Sequence, residues 1–225
     1  MTRASFLAAV ALFLALPLHA ITLDDVRRSL GELRGASAIT VRIDTNDRRT
    51  EGKKNTNTTQ MLVVAQDGAG VRLVRATPPK ANKKDEETAV GKAKELMNFA
   101  PELLKWLEGA TLKRVSASSF EGNAATLLEI VPQREKSDNS RFVKSFADVL
   151  LLWLGPDGRP LAAERTQALE ARVLLIGFKV RSKETLRFAA AGDRLLATKQ
   201  VLDIASSGLN KDQSGVKTTT VTVQP

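Results

Sequence analysis

Few side chains in this sequence can carry covalent or acid–base chemistry. The 225 residues include a single histidine, His19, and neither cysteine nor tyrosine. A Ser-His-Asp triad, a cysteine nucleophile and a zinc site built on His or Cys all need groups that are missing beyond residue 19. Carboxylates, lysines and serines remain, and no motif arranges them for catalysis. An all-oxygen Ca²⁺ or Mg²⁺ site is compatible with the composition, but no loop has suitably spaced ligands. No cofactor and no metal are expected, and the chain reads as a protein that is not an enzyme. What its residue pattern offers instead is apolar surface for binding.

The widest such surface lies in 87–108, ETAVGKAKELMNFAPELLKWLE. At about 100° per residue, Leu96, Met97, Phe99, Ala100, Leu103, Leu104, Trp106 and Leu107 fill one half of a helical wheel. The other half is charged. An arc of about 180° exceeds the roughly 100° stripe of an ordinary surface helix, so something large and apolar must cover it. Pro101 would remove a backbone donor and clash with the preceding turn inside one long helix. The spacing therefore predicts two helices that meet at Phe99-Ala100, with Pro101 at the first position of the second. Gly109 is placed to end that second helix in a left-handed cap. Such an arc is usually the core helix of an α+β domain, and the alternative is a lid over an apolar cavity. Leu104 is expected to behave as core, and Trp106, nearer the charged boundary, as a residue on a cavity rim.

Two further apolar sets join it. Residues 149–154, VLLLWL, are apolar at six successive positions, where a strand with one wet face would alternate; this predicts a strand covered on both faces. In 172–180, Leu174, Ile176 and Phe178 share one face. The candidate ligand-binding residues are thus Leu96, Phe99, Leu103, Trp106, Leu151, Trp153 and Phe178.

The elements that would position them begin after a leader. Arg3 precedes an uninterrupted apolar run over 6–16, FLAAVALFLAL, and Ala20 is the natural last residue before a cut. Residues 1–20 are expected to be a cleaved secretory signal peptide, and 21–225 a single domain. No later run is long enough to span a membrane. The net charge is +9 for the whole chain, and loss of Arg3 leaves 33 basic and 25 acidic residues. Without cysteine there can be neither disulfides nor an N-terminal lipid anchor, so a hydrophobic core must hold the fold. The basic residues are dispersed and aromatics number only ten, which speaks against nucleic-acid binding. Dispersed Lys and Arg keep a β-rich surface soluble and its edges unpaired, and anionic headgroups are a plausible counter-surface.

A first helix is predicted over 22–33, capped by Thr22, with Leu23, Val26, Leu30 and Leu33 on one face. Strands follow at 39–44, 59–66 and 71–76, the last two joined by the Asp67-Gly68-Ala69-Gly70 turn. The polar stretch 44–55 reads as a long mobile connection, with Arg48, Arg49, Lys53 and Lys54 near its tip. After the central helices, strands are expected at 111–118, 124–132, 141–154, 160–169, 172–180, 184–190, 194–204 and 216–223. Polar loops are expected at 133–140 and 206–215. Short sequential connections among ten or eleven strands imply an antiparallel meander.

This order of elements, with the phrase LLLWLGPDGRPL over 150–161, resembles the periplasmic lipoprotein-carrier (LolA/LolB-like) superfamily. The likeness implies an α+β fold: a strongly curved antiparallel sheet, an incomplete β-barrel, with the N-terminal helix and the helical insertion packed in its concave face. It implies a soluble periplasmic carrier or chaperone that holds an acyl chain of a lipid or acylated protein in an apolar cavity. An envelope-stress sensing or protein-interaction module on the same scaffold, with an envelope protein as partner, is the alternative. The Arg-Pro pair such carriers show on an early strand has no counterpart, since Arg75 is followed by Ala76-Thr77-Pro78. No cavity-closing arginine is therefore assigned.

Overall fold

The structure, a computed structural model, describes residues 21–133, 142–173, 176–208 and 212–225. The expected signal peptide at 1–20, Leu174 and nearly all of the expected 133–140 loop lie outside the described residues. Helix α1 (Leu23–Gly31) starts as its sequence dictates. The Thr22 hydroxyl accepts from the Asp25 N–H at 3.2 Å, and the Asp25 carboxylate accepts from the Thr22 N–H at 3.1 Å. This reciprocal box satisfies two donors that a helix start leaves free. Leu23, Val26 and Leu30 are buried, and Leu33 packs beside them.

Strands β1 (Ile39–Glu51) and β2 (Lys54–Asp67) are far longer than their apolar cores suggest. Their ladder runs unbroken from Ile39↔Gln66 to Glu51↔Lys54, so the expected loop over 44–55 is strand nearly throughout. Only Thr45 and Thr50 in this segment are good strand formers, so pairing with β2 and β10, not propensity, holds it extended. It lacks apolar alternation because its residues are half-buried or exposed, with no core face to fill. Strand β3 (Gly70–Thr77) returns through the short turn after Asp67.

The insertion forms α2 (Lys83–Met97) and α3 (Ala100–Leu107), with the break at Asn98-Phe99 and Pro101 in the first turn of α3. The Phe99 N–H donates to the Leu195 carbonyl at 2.8 Å, which ties the break to the sheet. Gly109 has φ +61°, the left-handed conformation predicted for it.

The remaining strands are β4 (Thr111–Phe120), β5 (Asn123–Val131), β6 (Val143–Leu154), β7 (Pro160–Val173), β8 (Ile176–Ala190), β9 (Leu195–Gly208) and β10 (Gln213–Gln224). The expected strands 172–180 and 184–190 are largely one strand, β8, and the expected loop 206–215 is mostly strand from β9 and β10. All ten strands form one antiparallel sheet in the order β3-β2-β1-β10-β9-β8-β7-β6-β5-β4.

One hydrophobic cluster unites α1, α2 and α3 with Leu62 and Val64 of β2 and with Leu128 and Ile130 of β5. Seven strand spacings separate β2 from β5, roughly 34 Å in a flat sheet, against a helix diameter of about 10–12 Å. The sheet therefore curls around its helices, and its terminal strands β3 and β4 leave it unclosed. This is the incomplete barrel expected from the sequence.

The 149–154 segment departs from expectation. Leu150, Leu152 and Leu154 are fully buried, whereas Val149, Leu151 and Trp153 are only half-buried. The strand has one core face; its outer apolar residues shield each other, with the Trp153 ring 6.2 Å from Phe120. Elsewhere the β8–β9 end is latched to the α1–β1 connection. The Asp193 carboxylate accepts from the Ala36 N–H at 2.8 Å and the Ser37 N–H at 3.2 Å. Buried Arg194 donates to the Gly35 carbonyl, the Ser37 carbonyl and the Gln66 side chain.

Candidate ligand-binding site

Strand register defines the concave face. Leu150 pairs with Arg165, Leu152 with Ala163, Arg165 with Glu184 and Ala163 with Leu186, so these side chains point the same way as the buried leucines of β6. The series continues through Gln200 of β9, Thr219 of β10 and Thr45 of β1.

Helix α3 fills its share of this face completely. Phe99 and Leu103 have no exposed surface and Trp106 is 7% exposed. The Phe99 ring meets Trp106 edge-on at 5.4 Å and lies 5.6 Å from Phe188 of β8. Trp106 donates its indole N–H to Glu102 at 3.0 Å, and the Arg165 guanidinium sits 5.0 Å from its ring centre. Trp106 is therefore packed core and not a rim residue, while Leu104 is only half-buried, the reverse of the expected pair. The cause is the break at Phe99: it restarts the helix in a new orientation, so one continuous wheel no longer describes the facing.

Beside Trp106 lies a polar belt across the sheet. Arg165 donates twice to buried Asp148, at 3.0 and 2.7 Å, and Gln167 donates to the same carboxylate at 2.9 Å. Gln200 donates to Glu184 at 2.5 Å. Burial pushes the Glu184 carboxyl above the usual range; the Gln200 bond opposes this and the nearby Glu95 carboxylate adds to it.

Helix α2 does not fill its share. Between it and strands β1, β2, β9 and β10 is a cavity of about 460 Å³, within the range of small-molecule sites. Ile43, Leu62, Ala89, Ala93 and Leu96 supply apolar wall, and Thr45, Gln60, Gln200 and Thr219 supply polar groups. Lys80, Lys92 and Lys217 also line it, opposed by Asp85. A second cavity of about 360 Å³ continues toward the free ends of β1 and β10, with Leu202 and Ile204 in its wall. Lys217 belongs to both.

Of the seven candidate residues, Leu96 alone lines the cavity under α2. Phe99, Leu103 and Trp106 share the concave face with it but are consumed in packing. Leu151 and Trp153 point to the opposite, outer face, and this corrects their assignment to a common lining: successive strand residues face opposite ways, and the leucines at 150, 152 and 154 take the core. Phe178 is on the concave face but about 20 Å along β8 from Glu184. The lining residues of β1 and β10 went unnoticed in the sequence, although the alternation Ile43, Thr45, Asp47 carries the signal. Among the described residues there is no group of His, Cys, Asp or Glu placed to hold a metal ion, and no helix is long and apolar enough to cross a membrane.

No family model and no curated protein sequence matches the chain. Among solved structures it is similar to a LolA superfamily protein from Nitrosomonas europaea, with 11% identity, TM-score 0.37, and coverage of 92% of this chain and 95% of the other. It is likewise similar to a DUF1329 family protein from Desulfovibrio piger, with 9% identity, TM-score 0.36, and coverage of 90% and 93%. A domain assigned to outer membrane lipoprotein sorting, from Vibrio parahaemolyticus, has 12% identity, TM-score 0.36, and coverage of 90% and 91%.

Proposed function

We propose that the chain is an exported carrier or chaperone that shields an acyl chain, of a lipid or an acylated protein, between α2 and the concave face of the sheet. Cleavage after Ala20 releases it as 21–225 into the periplasm, a reading that rests on the apolar run at 6–16. The reaction it performs is binding and release, without catalysis. The observation that carries the reading is the contrast between the two helices. Under α3 the apolar side chains are fully packed. Under α2, a cleft of about 460 Å³ reaches the edge of the core at Ile43, Leu62 and Leu96, which are themselves 3–6% exposed. A concave cleft that joins an apolar end to a few polar and charged groups is the form small-molecule sites take.

The test uses 21–225 purified from a cell envelope. Native mass spectrometry reads any co-purified lipid, and titration with a fluorescent fatty acid reads affinity. Ala89→Leu adds apolar bulk from α2 into the cavity. It should weaken the probe at least tenfold while the unfolding midpoint holds or rises. A parent protein that neither carries lipid nor binds the probe would overturn the reading.

A further inference from the structure

The concave face of the sheet at the α2 cavity changes chemistry in one direction, rung by rung, across β10, β1 and β2. The first rung is Val221, Ile43 and Leu62, all apolar. The next is Thr219, Thr45 and Gln60, and the third is Lys217, Asp47 and Thr58. Four residues along β10 separate Val221 from Lys217, which is about 13 Å of strand. Helix α2 follows the same gradient above it. Leu96 lies near its C-terminal end, and Thr88 and Lys92 lie earlier, in the direction of Lys80 on the connection that leads into the helix.

Charge at the polar end is one-sided. Lys80, Lys92 and Lys217 line the cavity there against the single carboxylate Asp85. The neighbouring Asp47 is already engaged by Arg49, which donates to it at 3.0 and 2.7 Å. Lys217 is half-buried, and among the described residues it has no hydrogen-bond or salt-bridge partner. Burial holds its ammonium below the usual lysine range, and Lys92, Arg49 and Lys80 push it in the same direction against Asp47. Lys217 and Lys80 are half-buried and Lys92 is exposed. Asp47, across the strand pair from Lys217 and shared with Arg49, offsets Lys217 only in part, and an anion at that point adds the missing counter-charge.

We infer that the cavity selects amphiphiles with an anionic headgroup, a phosphate or a carboxylate, seated against Lys217 with Lys92 and Lys80 around it and its chain running toward Ile43, Leu62 and Leu96. This rests on the carrier reading and specifies its ligand class. The three-rung gradient matches one hydrocarbon chain, its polar linkage and its charged head in that order. A neutral glyceride or alcohol would leave that counter-charge missing.

Four probes separate the possibilities on 21–225: palmitate, palmitoyl lysophosphatidic acid, neutral palmityl alcohol, and inorganic phosphate alone. The two anionic amphiphiles should bind about tenfold more tightly than the alcohol, as expected for a charge-assisted contact. Lys217→Met should bring that ratio close to one. Lys92→Gln, at an exposed helical position where folding is not at stake, should lower it in the same sense. Rising salt should weaken the anionic probes more than the alcohol. Equal affinity for charged and neutral amphiphiles in the parent, or a ratio that survives both substitutions, overturns the headgroup site and leaves the carrier reading intact. Phosphate binding as tightly as the lysolipid overturns the lipid as source and assigns the site to a free anion. Failure of every amphiphile to bind removes the carrier reading itself.

Discussion

Trp106→Ala is the perturbation that best tests the division of the concave face. The indole is 7% exposed, meets Phe99 edge-on at 5.4 Å, and has the Arg165 guanidinium 5.0 Å from its ring centre. Truncating a buried tryptophan removes its transfer energy and leaves a void, together about 3–5 kcal/mol. Within that figure, the edge-on aromatic pair accounts for about 0.5–1.5 kcal/mol, and the cation–π contact for about 0.5–2 kcal/mol. A domain of this kind has only about 5–15 kcal/mol in total, so the variant should unfold at markedly lower urea. Trp106→Phe keeps a ring against Phe99 but gives up the N–H donated to Glu102, and should lose about 1–2 kcal/mol.

The assay is urea unfolding of 21–225 followed by far-ultraviolet circular dichroism, because the substitution deletes one of only two tryptophans and compromises fluorescence. A double-mutant cycle between Trp106→Ala and Arg165→Met then isolates their contact, with an expected coupling of about 0.5–2 kcal/mol. It is run in an Asp148→Asn background, since removing Arg165 alone would strand a buried carboxylate. A cost for Trp106→Ala below about 1.5 kcal/mol would refute the argument. The ring would then face open space, and the packed half of the barrel would be a cavity after all.

Further outcomes concern titrating groups and processing. The Asp193 carboxyl is held down at about 2 by its bonds to Ser37 and the Ala36 N–H. Its contribution is therefore present above the ordinary value near 3.8 and lost as pH falls toward 2, so Asp193→Asn should flatten the acid limb of a stability–pH curve. Glu184 is raised, so the stability tied to its protonated form is present at low pH and lost as pH rises through its folded value. Glu184→Gln keeps an acceptor for Gln200 and should raise stability at neutral pH but not in acid, as read by thermal unfolding at the two pH values. N-terminal sequencing of the exported protein should begin at Ile21; a retained Met1 would refute the leader.

How much was legible in the sequence follows from which physical signals are local. Helix α1 and the α2–α3 break were readable because capping and proline chemistry act within a few residues, at Thr22–Asp25 and at Pro101. Gly109 was readable for the same reason. The polar halves of β1, β2, β9 and β10 were not, because hydrophobic alternation marks a strand only where one face meets a core. Beyond the reach of the helices there is no core to mark, and the ladder itself holds those residues in strand. The same blindness hid the site. Lys217 reads as one more dispersed cation, and only the pairing of β10 with β1 brings it beside Asp47 and under α2.

The misplacement of Leu151 and Trp153 shows the converse. Six apolar residues in a row look like two buried faces, yet the sheet buries one and lets the outer residues cover each other, with Phe120 against Trp153. An apolar run thus counts hydrophobic residues without saying what covers them. The same distinction separates α3 from α2. Both are amphipathic, but α3 brings Phe99, Leu103, Trp106 and Leu107 to the sheet, whereas the cavity-facing side of α2 offers Ala89 and Ala93 before it reaches Leu96. Alanine cannot reach across the gap that a leucine or an aromatic ring would close. The cavity is therefore written into the choice of small residues on α2, and Ala89→Leu is the change that should erase it.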